Sequence, residues 1–252
     1  MKPDVQAYLN RIGFDGTPKT DFATLCELHT GHLKSIPYEN LDIMRDIPLS
    51  LEIDDVLEKV ISRRRGGYCF ELNAIFTWLL RELGFEVVVY MARFLRNETG
   101  VPMRRHRVLK VICDDGDYLA DVGAGSAVPL IPLPLILGHE SRQGDELYKL
   151  DREPFFGTVL YRWKHNEWER IYSFTEEEQH DIDFIMPSFY CERHPDSMFR
   201  KGDMVHIFTE DGRKSVAGRE VKIFSPKGVE VIIPDSEEEY YMLLERYFQI
   251  KL

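Results

Sequence analysis

The hydrophobic period of this chain changes at about residue 85, and that change limits the fold to helices first and antiparallel strands after. Before it, apolar residues recur at helical spacing: Val5, Tyr8, Leu9 and Ile12, closed by Gly13, then Phe22, Leu25, Leu28 and Leu33. Val56 and Val60 mark a further helix over Leu51–Ile61, and Phe70, Ala74, Trp78, Leu79 and Leu80 mark one that closes before Gly84. Pro37 keeps Ile36 out of helical space, so residues 36–41 read as a loop.

From Phe85 onward the runs are β-branched and aromatic. Val87–Phe94 predicts a strand buried on both faces, and Asn97–Pro102 a loop. His106–Ile112 and Tyr118–Val122 form a hairpin around Asp114-Asp115-Gly116. Pro129, Pro132 and Pro134 stiffen the next loop. Tyr148–Arg152, Gly157–Trp163 and Glu167–Phe174, with a turn at His165-Asn166, complete an all-β module, a barrel or a sandwich. Phe184–Arg200 reads as a helical connector interrupted by Pro187 and Pro195. Val205–Thr209, Val221–Phe224 and Val229–Ile233 are strands, and Ser236-Glu237-Glu238-Glu239 is a capping box opening a last helix to about Phe248. The expected fold class is α+β: a helical bundle at 1–85, a β-barrel at 86–187, a connector at 188–203 and an α/β segment at 204–252.

With 44% hydrophobic and 30% charged residues the composition is that of an ordinary globular protein, and a net charge of −11 argues against nonspecific nucleic-acid binding. Cys26, Cys69, Cys113 and Cys191 lack paired spacing, so neither a zinc site nor a disulfide framework is expected. No signal-peptide pattern opens the chain and no apolar run reaches membrane-spanning length, so the expected compartment is the cytoplasm. His29 and His32 sit three apart, a spacing expected on an ordinary helix surface, with no third metal ligand nearby.

The stretch Arg63–Asn73, Arg-Arg-Arg-Gly-Gly-Tyr-Cys-Phe-Glu-Leu-Asn, carries the chemistry. Cys69 falls in the first turn of a helix, where unpaired N–H groups and the helix dipole favour a thiolate and lower its pKa. Gly66 and Gly67 leave room for a close substrate approach. By position alone, a buried and inert cysteine fits equally well.

A cysteine nucleophile needs a base and a group that orients the base. His106, at the mouth of the hairpin, is the best candidate base. A two-residue turn at Asp115-Gly116 would set Asp121 opposite Lys110, too far away. A loop over Cys113–Gly116 sets Asp121 opposite Val108, diagonal to His106 on the same face. The chemistry asks for the second register. His194 and His206 are weaker rivals, and His165 reads as a turn residue. The basic clusters Arg63–Arg65 and Arg104–Arg107 flank these candidates, and an anionic ligand is one reading of them; solvated faces are the other.

Three further motifs complete a resemblance. Arg-Gly-Gly-Tyr-Cys-Phe-Glu-Leu-Asn at 65–73, His106 with Val108 and Val111, Asp121-Val122-Gly123-Ala124-Gly125, Ile36-Pro37-Tyr38-Glu39-Asn40-Leu41-Asp42 and His194-Pro195-Asp196-Ser197-Met198-Phe199 together resemble the arylamine N-acetyltransferase family, in order and spacing from about residue 8 to 200. The resemblance implies a helical bundle, a β-barrel and an α/β lid around a core like that of cysteine proteases and transglutaminases. It implies acetyl transfer from acetyl-CoA to an arylamine or arylhydrazine, with Cys69 as acetyl-accepting nucleophile, His106 as base and Asp121 as orienting acid. Tyr38, Phe70 and Ala124 would line the acceptor pocket, and Thr99, Gly100, Gly125 and Ser126 would meet coenzyme A. Ala124 departs from the family, where Phe is usual. No metal, nucleic acid or membrane is implied. An amide synthase, or a transglutaminase-like cysteine hydrolase, would use the same three residues.

Overall fold

The computed structural model describes residues 2–252, and two antiparallel sheets organise it. Eight strands, from Glu86–Phe94 to Glu167–Glu178 with their neighbours, form an antiparallel sheet curled into a nearly closed barrel. Five more form the second sheet: Tyr38–Glu39, Met204–Thr209, Gly212–Ala217, Glu220–Ser225 and Gly228–Ile232. The helix Glu237–Phe248 packs on this second sheet through Tyr240, Leu243, Leu244 and Phe248. Its Ser236 cap accepts from the Glu239 N–H at 3.1 Å, as the capping box requires.

Helices Pro3–Ile12, Phe22–Ser35 and Cys69–Glu82 bury their apolar stripes in one core with Leu109, Val111 and Ala120 of the barrel sheet. The hairpin register is the one that the chemistry asks for. Leu109 pairs with Ala120 and Ile112 with Asp117, the register that sets Asp121 against Val108; Cys113 also pairs with Gly116, so the turn itself is Asp114-Asp115. His165 and Asn166 both take positive φ, 51° and 62°, the mirror-image turn that matches strand twist.

Several local readings change. Tyr38–Glu39 is a short strand rather than loop, paired with Val205 and His206. Helix Ile53–Leu57 widens into a π turn over Glu58–Ser62. Pro187 does not interrupt helix Ile185–Arg193, because it lies in the first turn, where the N–H it lacks would have had no helical partner. Gly212–Ala217 is a strand that an apolar pattern does not reveal: of its residues Val216 alone is buried, and backbone pairing on both sides holds it.

His29 and His32 are not on a helix surface. Both are buried, at 1% and 0% exposure, and His32 Nδ1 lies 2.6 Å from the Tyr8 hydroxyl. Burial pushes His29 down to about 4, His206 down to about 3, and His32 well below its ordinary value. The unfolded chain protonates these rings near pH 6.5, as free histidines do, whereas the folded chain keeps them neutral until far lower pH. Stability present above about pH 6.5 is therefore lost as pH falls toward about 4, by up to about 1.4 kcal/mol per pH unit and per ring. Urea unfolding measured at intervals from pH 7 to 4.5 should show uptake of more than one proton on unfolding near pH 5. Uptake of less than one would contradict the burial of neutral rings.

Candidate active site

Cys69 opens helix Cys69–Glu82, and its Sγ points at the Arg105 carbonyl, 3.9 Å away, one residue before His106. It lines a cavity of about 850 Å³ between the two sheets. The thiol does not match the simple helix-dipole expectation. Burial pushes its pKa well above the ordinary value, Cys191 and Asp121 add to that rise, and the Phe70 N–H and Arg105 oppose it. The helix start is present, but a thiol at 1% exposure loses more from desolvation than the dipole returns. A lone thiolate is thus unfavourable here, and a proton acceptor beside it is needed.

His106 immediately follows the residue whose carbonyl Sγ faces. It begins strand His106–Cys113, is fully buried, and directs Nε2 to Asp121 Oδ2 at 2.7 Å. Its Nδ1 is buried without a hydrogen-bond partner among the described residues. Asp121 follows the return strand Gly116–Ala120. Its Oδ1 accepts from Asn73 Nδ2 at 2.9 Å and from the Gly123 N–H at 2.8 Å. Burial alone would raise this carboxyl; the His106 ring, the Asn73 amide and the Gly123 N–H overcome that and hold it below the usual carboxylate range. With Nε2 facing an ionised carboxylate, the neutral ring carries its proton there and leaves Nδ1 as an acceptor.

Asn73 joins the two halves of the site. It lies four residues after Cys69, on the same helix face, donates also to the Arg107 carbonyl at 2.7 Å and accepts from the Val122 N–H at 3.0 Å. Gly123 permits this contact: a Cβ there would stand 2.6 Å from Asn73 Nδ2 and 2.7 Å from Cys69 Cα. Its spacing from Cys69 was the available signal for Asn73. Two more residues carry no such signal. His29 lies with Nε2 3.3 Å from the Asp121 N–H and Nδ1 3.1 Å from the Leu130 carbonyl, so one neutral tautomer serves both. The Tyr172 ring packs 5.4 Å from that of His106; its hydroxyl is buried, and burial and the Asp121 charge hold it well above the usual phenol range.

The loop ahead of Cys69 is fixed by buried charge. Arg65 donates Nε to Glu39 Oε1 at 2.9 Å and Nη2 to Asp42 Oδ1 at 2.7 Å. Lys59 bridges Asp42 at 2.7 Å and Glu71 at 2.8 Å, and Glu71 Oε2 accepts the Tyr68 N–H at 3.0 Å. Arg65 is therefore neither a solvated face nor open to an anion, although Arg63, 61% exposed, is solvated. Gly66 and Gly67 serve this packing rather than a substrate: a Cβ on Gly66 would stand 2.0 Å from the Pro37 carbonyl, and one on Gly67 3.0 Å from the Glu71 carboxylate.

Among the residues expected to contact substrates, Tyr38, Ala124, Gly125 and Ser126 line the cavity with Cys69. Phe70 does not; its ring turns into the core against Tyr68 and Phe184, because the residue after Cys69 faces the other side of the helix. Thr99 and Gly100 are exposed and outside the lining, while their neighbours Glu98 and Val101 belong to it. The arginines separate by surroundings. Arg107 is buried on Asp181 at 2.9 Å, Arg104 pairs with Glu177 at 3.3 Å, and Arg105 lines the cavity. No described helix is long and apolar enough to cross a membrane.

This geometry has close counterparts. A family model described as N-acetyltransferase matches residues 21–252. An arylamine N-acetyltransferase of Mycolicibacterium smegmatis is 35% identical over 258 residues, spanning all of this chain and 94% of the relative. The arylamine N-acetyltransferase of Escherichia coli is 34% identical over 85% of this chain and 76% of its own. Among solved structures, an arylamine N-acetyltransferase from Salmonella typhimurium superposes with a TM-score of 0.94 at 28% identity, over 99% of this chain and 92% of its own. That of Mycobacterium marinum in complex with CoA has a TM-score of 0.90 at 31% identity, over 98% of this chain and 92% of its own. On these matches and this fold, the chain belongs to the arylamine N-acetyltransferase family of acyltransferases.

Proposed function

We propose that Cys69, His106 and Asp121 act as one unit that moves an acetyl group from acetyl-CoA to the nitrogen of an arylamine or arylhydrazine in two half-reactions. The observation that carries this reading is the unpartnered, buried His106 Nδ1, whose ring is held by Asp121 through Nε2, one residue from the carbonyl at which Cys69 points. His106 Nδ1 takes the Cys69 proton, and the sulfur attacks the thioester carbonyl carbon. The oxyanion is met by the backbone N–H of Cys69 at the helix start. The C–S bond to CoA breaks and imidazolium returns the proton to the departing sulfur. The arylamine, neutral at pH 7, then attacks the acetyl-cysteine and gives its proton to His106, and Cys69 leaves as thiolate. CoA use is supported by the CoA-bound relative. Initial rates at several fixed arylamine concentrations should give parallel double-reciprocal lines against acetyl-CoA; converging lines would mean that both substrates must be bound together.

Ala124 lines the cavity with Cys69, and Gly123 is too tightly packed on Cys69 and Asn73 to let the backbone move in. Ala124→Phe should shift kcat/KM toward a small para-substituted aniline over a bulky sulfonamide arylamine. An aromatic face worth roughly 1–3 kcal/mol sets the shift at about 10- to 100-fold. Acetylation of Cys69 should change little. Equal responses of both acceptors would remove Ala124 from the acceptor pocket.

A further inference from the structure

The second sheet ends in an edge that the rest of the chain leaves open. Its strands lie in the order Tyr38–Glu39, Met204–Thr209, Gly212–Ala217, Glu220–Ser225, Gly228–Ile232. At the first of these Tyr38 also bridges Gly67, so that edge is covered. At the last, residues 228–231 are all exposed, with Val229 at 56%, Val231 at 49% and, just past the strand, Ile233 at 70%. Ser225 pairs with Gly228 across the two-residue turn Pro226-Lys227. The pair that closes such a turn exchanges its backbone hydrogen bonds, and the exchange recurs at every second residue. Gly228, Glu230 and Ile232 therefore turn their backbone groups inward to strand Glu220–Ser225, and Val229, Val231 and Ile233 turn theirs to the open edge. Pro234 lacks its N–H at an inward position, so it does not interrupt that edge. Val229, Val231 and Ile233 also share one face of the sheet, where Val229 lies opposite Phe224. An open, apolar edge of this kind is a template for another strand.

We propose that this edge pairs antiparallel with the same edge of a second copy of the chain, about a two-fold axis at Val231, joining the two five-stranded sheets into one. The strand is self-complementary in that register. Val231 meets Val231, and Val229 meets Ile233 on either side of the axis, so outward backbone groups meet outward backbone groups. Their side chains form one apolar row across the junction. Lys227 of each copy falls opposite Asp235 of the other. Both residues are exposed, and neither side chain has a partner within its own chain among the described residues. No like charges oppose, because Glu230 falls opposite Ile232. Centred on Val229 the pairing would run past the turn at Pro226-Lys227, and centred on Ile233 it would run into helix Glu237–Phe248. A pairing this short buries little area, so dissociation on the order of micromolar is expected.

The test is sedimentation equilibrium of the full chain from about 1 to 100 µM, a range that brackets such an affinity. A monomer–dimer equilibrium is expected. Val231→Lys sets two ammonium groups face to face on the axis and should raise the dimer Kd by about 10-fold or more. Lys227→Glu replaces two exposed ion pairs by two repulsions and should raise it by about 3- to 30-fold. Adding Asp235→Lys to Lys227→Glu in the same chain should restore the original Kd. Lys227 and Asp235 are exposed turn and loop residues, so this swap reads the interface even where Val231→Lys weakens the fold. A chain that stays monomeric at about 100 µM, a dimer left intact in folded Val231→Lys, or a second charge change that adds to the loss instead of reversing it overturns the assignment.

Discussion

Asp121→Asn should lower acetyl transfer by about 10³-fold or more, the scale of such changes in other triads, with the fold intact. The hydrogen bonds dictate how the introduced amide must sit. Oδ1 of Asp121 accepts from both Asn73 Nδ2 and the Gly123 N–H, so the amide oxygen takes that place. The NH₂ group is then left facing His106 Nε2, where the carboxylate oxygen stood at 2.7 Å. It donates, and the imidazole proton is forced onto Nδ1, where it blocks uptake of the Cys69 proton. The charge that would stabilise imidazolium is lost as well. In the proposed mechanism the three residues serve one proton transfer, so adding His106→Ala should scarcely deepen the loss. Multiplying losses in the double variant would mean that the two residues act in separate steps.

Arg65→Met should destabilise the protein by about 3–5 kcal/mol, the cost of breaking a buried ion pair from one side. Glu39 lies at 1% exposure and accepts from Arg65, from the Leu41 N–H at 2.9 Å and from the Gly66 N–H at 3.3 Å. Without the guanidinium, its charge and part of that of Asp42 remain buried against Lys59 alone. At this chain length the loss should lower Tm by about 6–20 °C. The loop from Arg65 to Tyr68 carries Cys69 at its end, so acetyl transfer should also fall at temperatures where the variant is still folded. A drop of less than about 1 kcal/mol in urea unfolding would mean that the network contributes little to holding the loop.

The parts of the site that were legible in the sequence are those where chemistry and geometry constrain the same residues. A base needs a carboxylate within reach, and only one hairpin register brings Asp121 toward His106; that register is the one found. The helix start at Cys69 was legible from apolar spacing, and the capping box at Ser236 from its own pattern. What escaped has no local signature. Arg65 looks like its solvated neighbours Arg63 and Arg64, because its partner Glu39 lies 26 residues away. Gly212–Ala217 is polar and becomes a strand through its neighbours. His29 looked like helix surface until Leu130, 101 residues distant, was packed against it. For Cys69 the sequence leaves a dipole-activated thiolate and a buried thiol equally open, and burial, a property of the whole fold, has the larger effect on it.

In the proposed mechanism an acetyl group rests on one sulfur between the two half-reactions. The direct measurement is the intact mass of the protein after mixing with acetyl-CoA and no acceptor, followed by peptide mapping. One acetyl group is expected, on the Cys69 peptide, and it should disappear when an arylamine is added. Cys69→Ser should take up none under the same conditions. An unmodified protein that nonetheless acetylates an arylamine when both substrates are present, or an acetyl group carried on Cys26, Cys113 or Cys191 instead, would contradict the assignment of Cys69 as nucleophile.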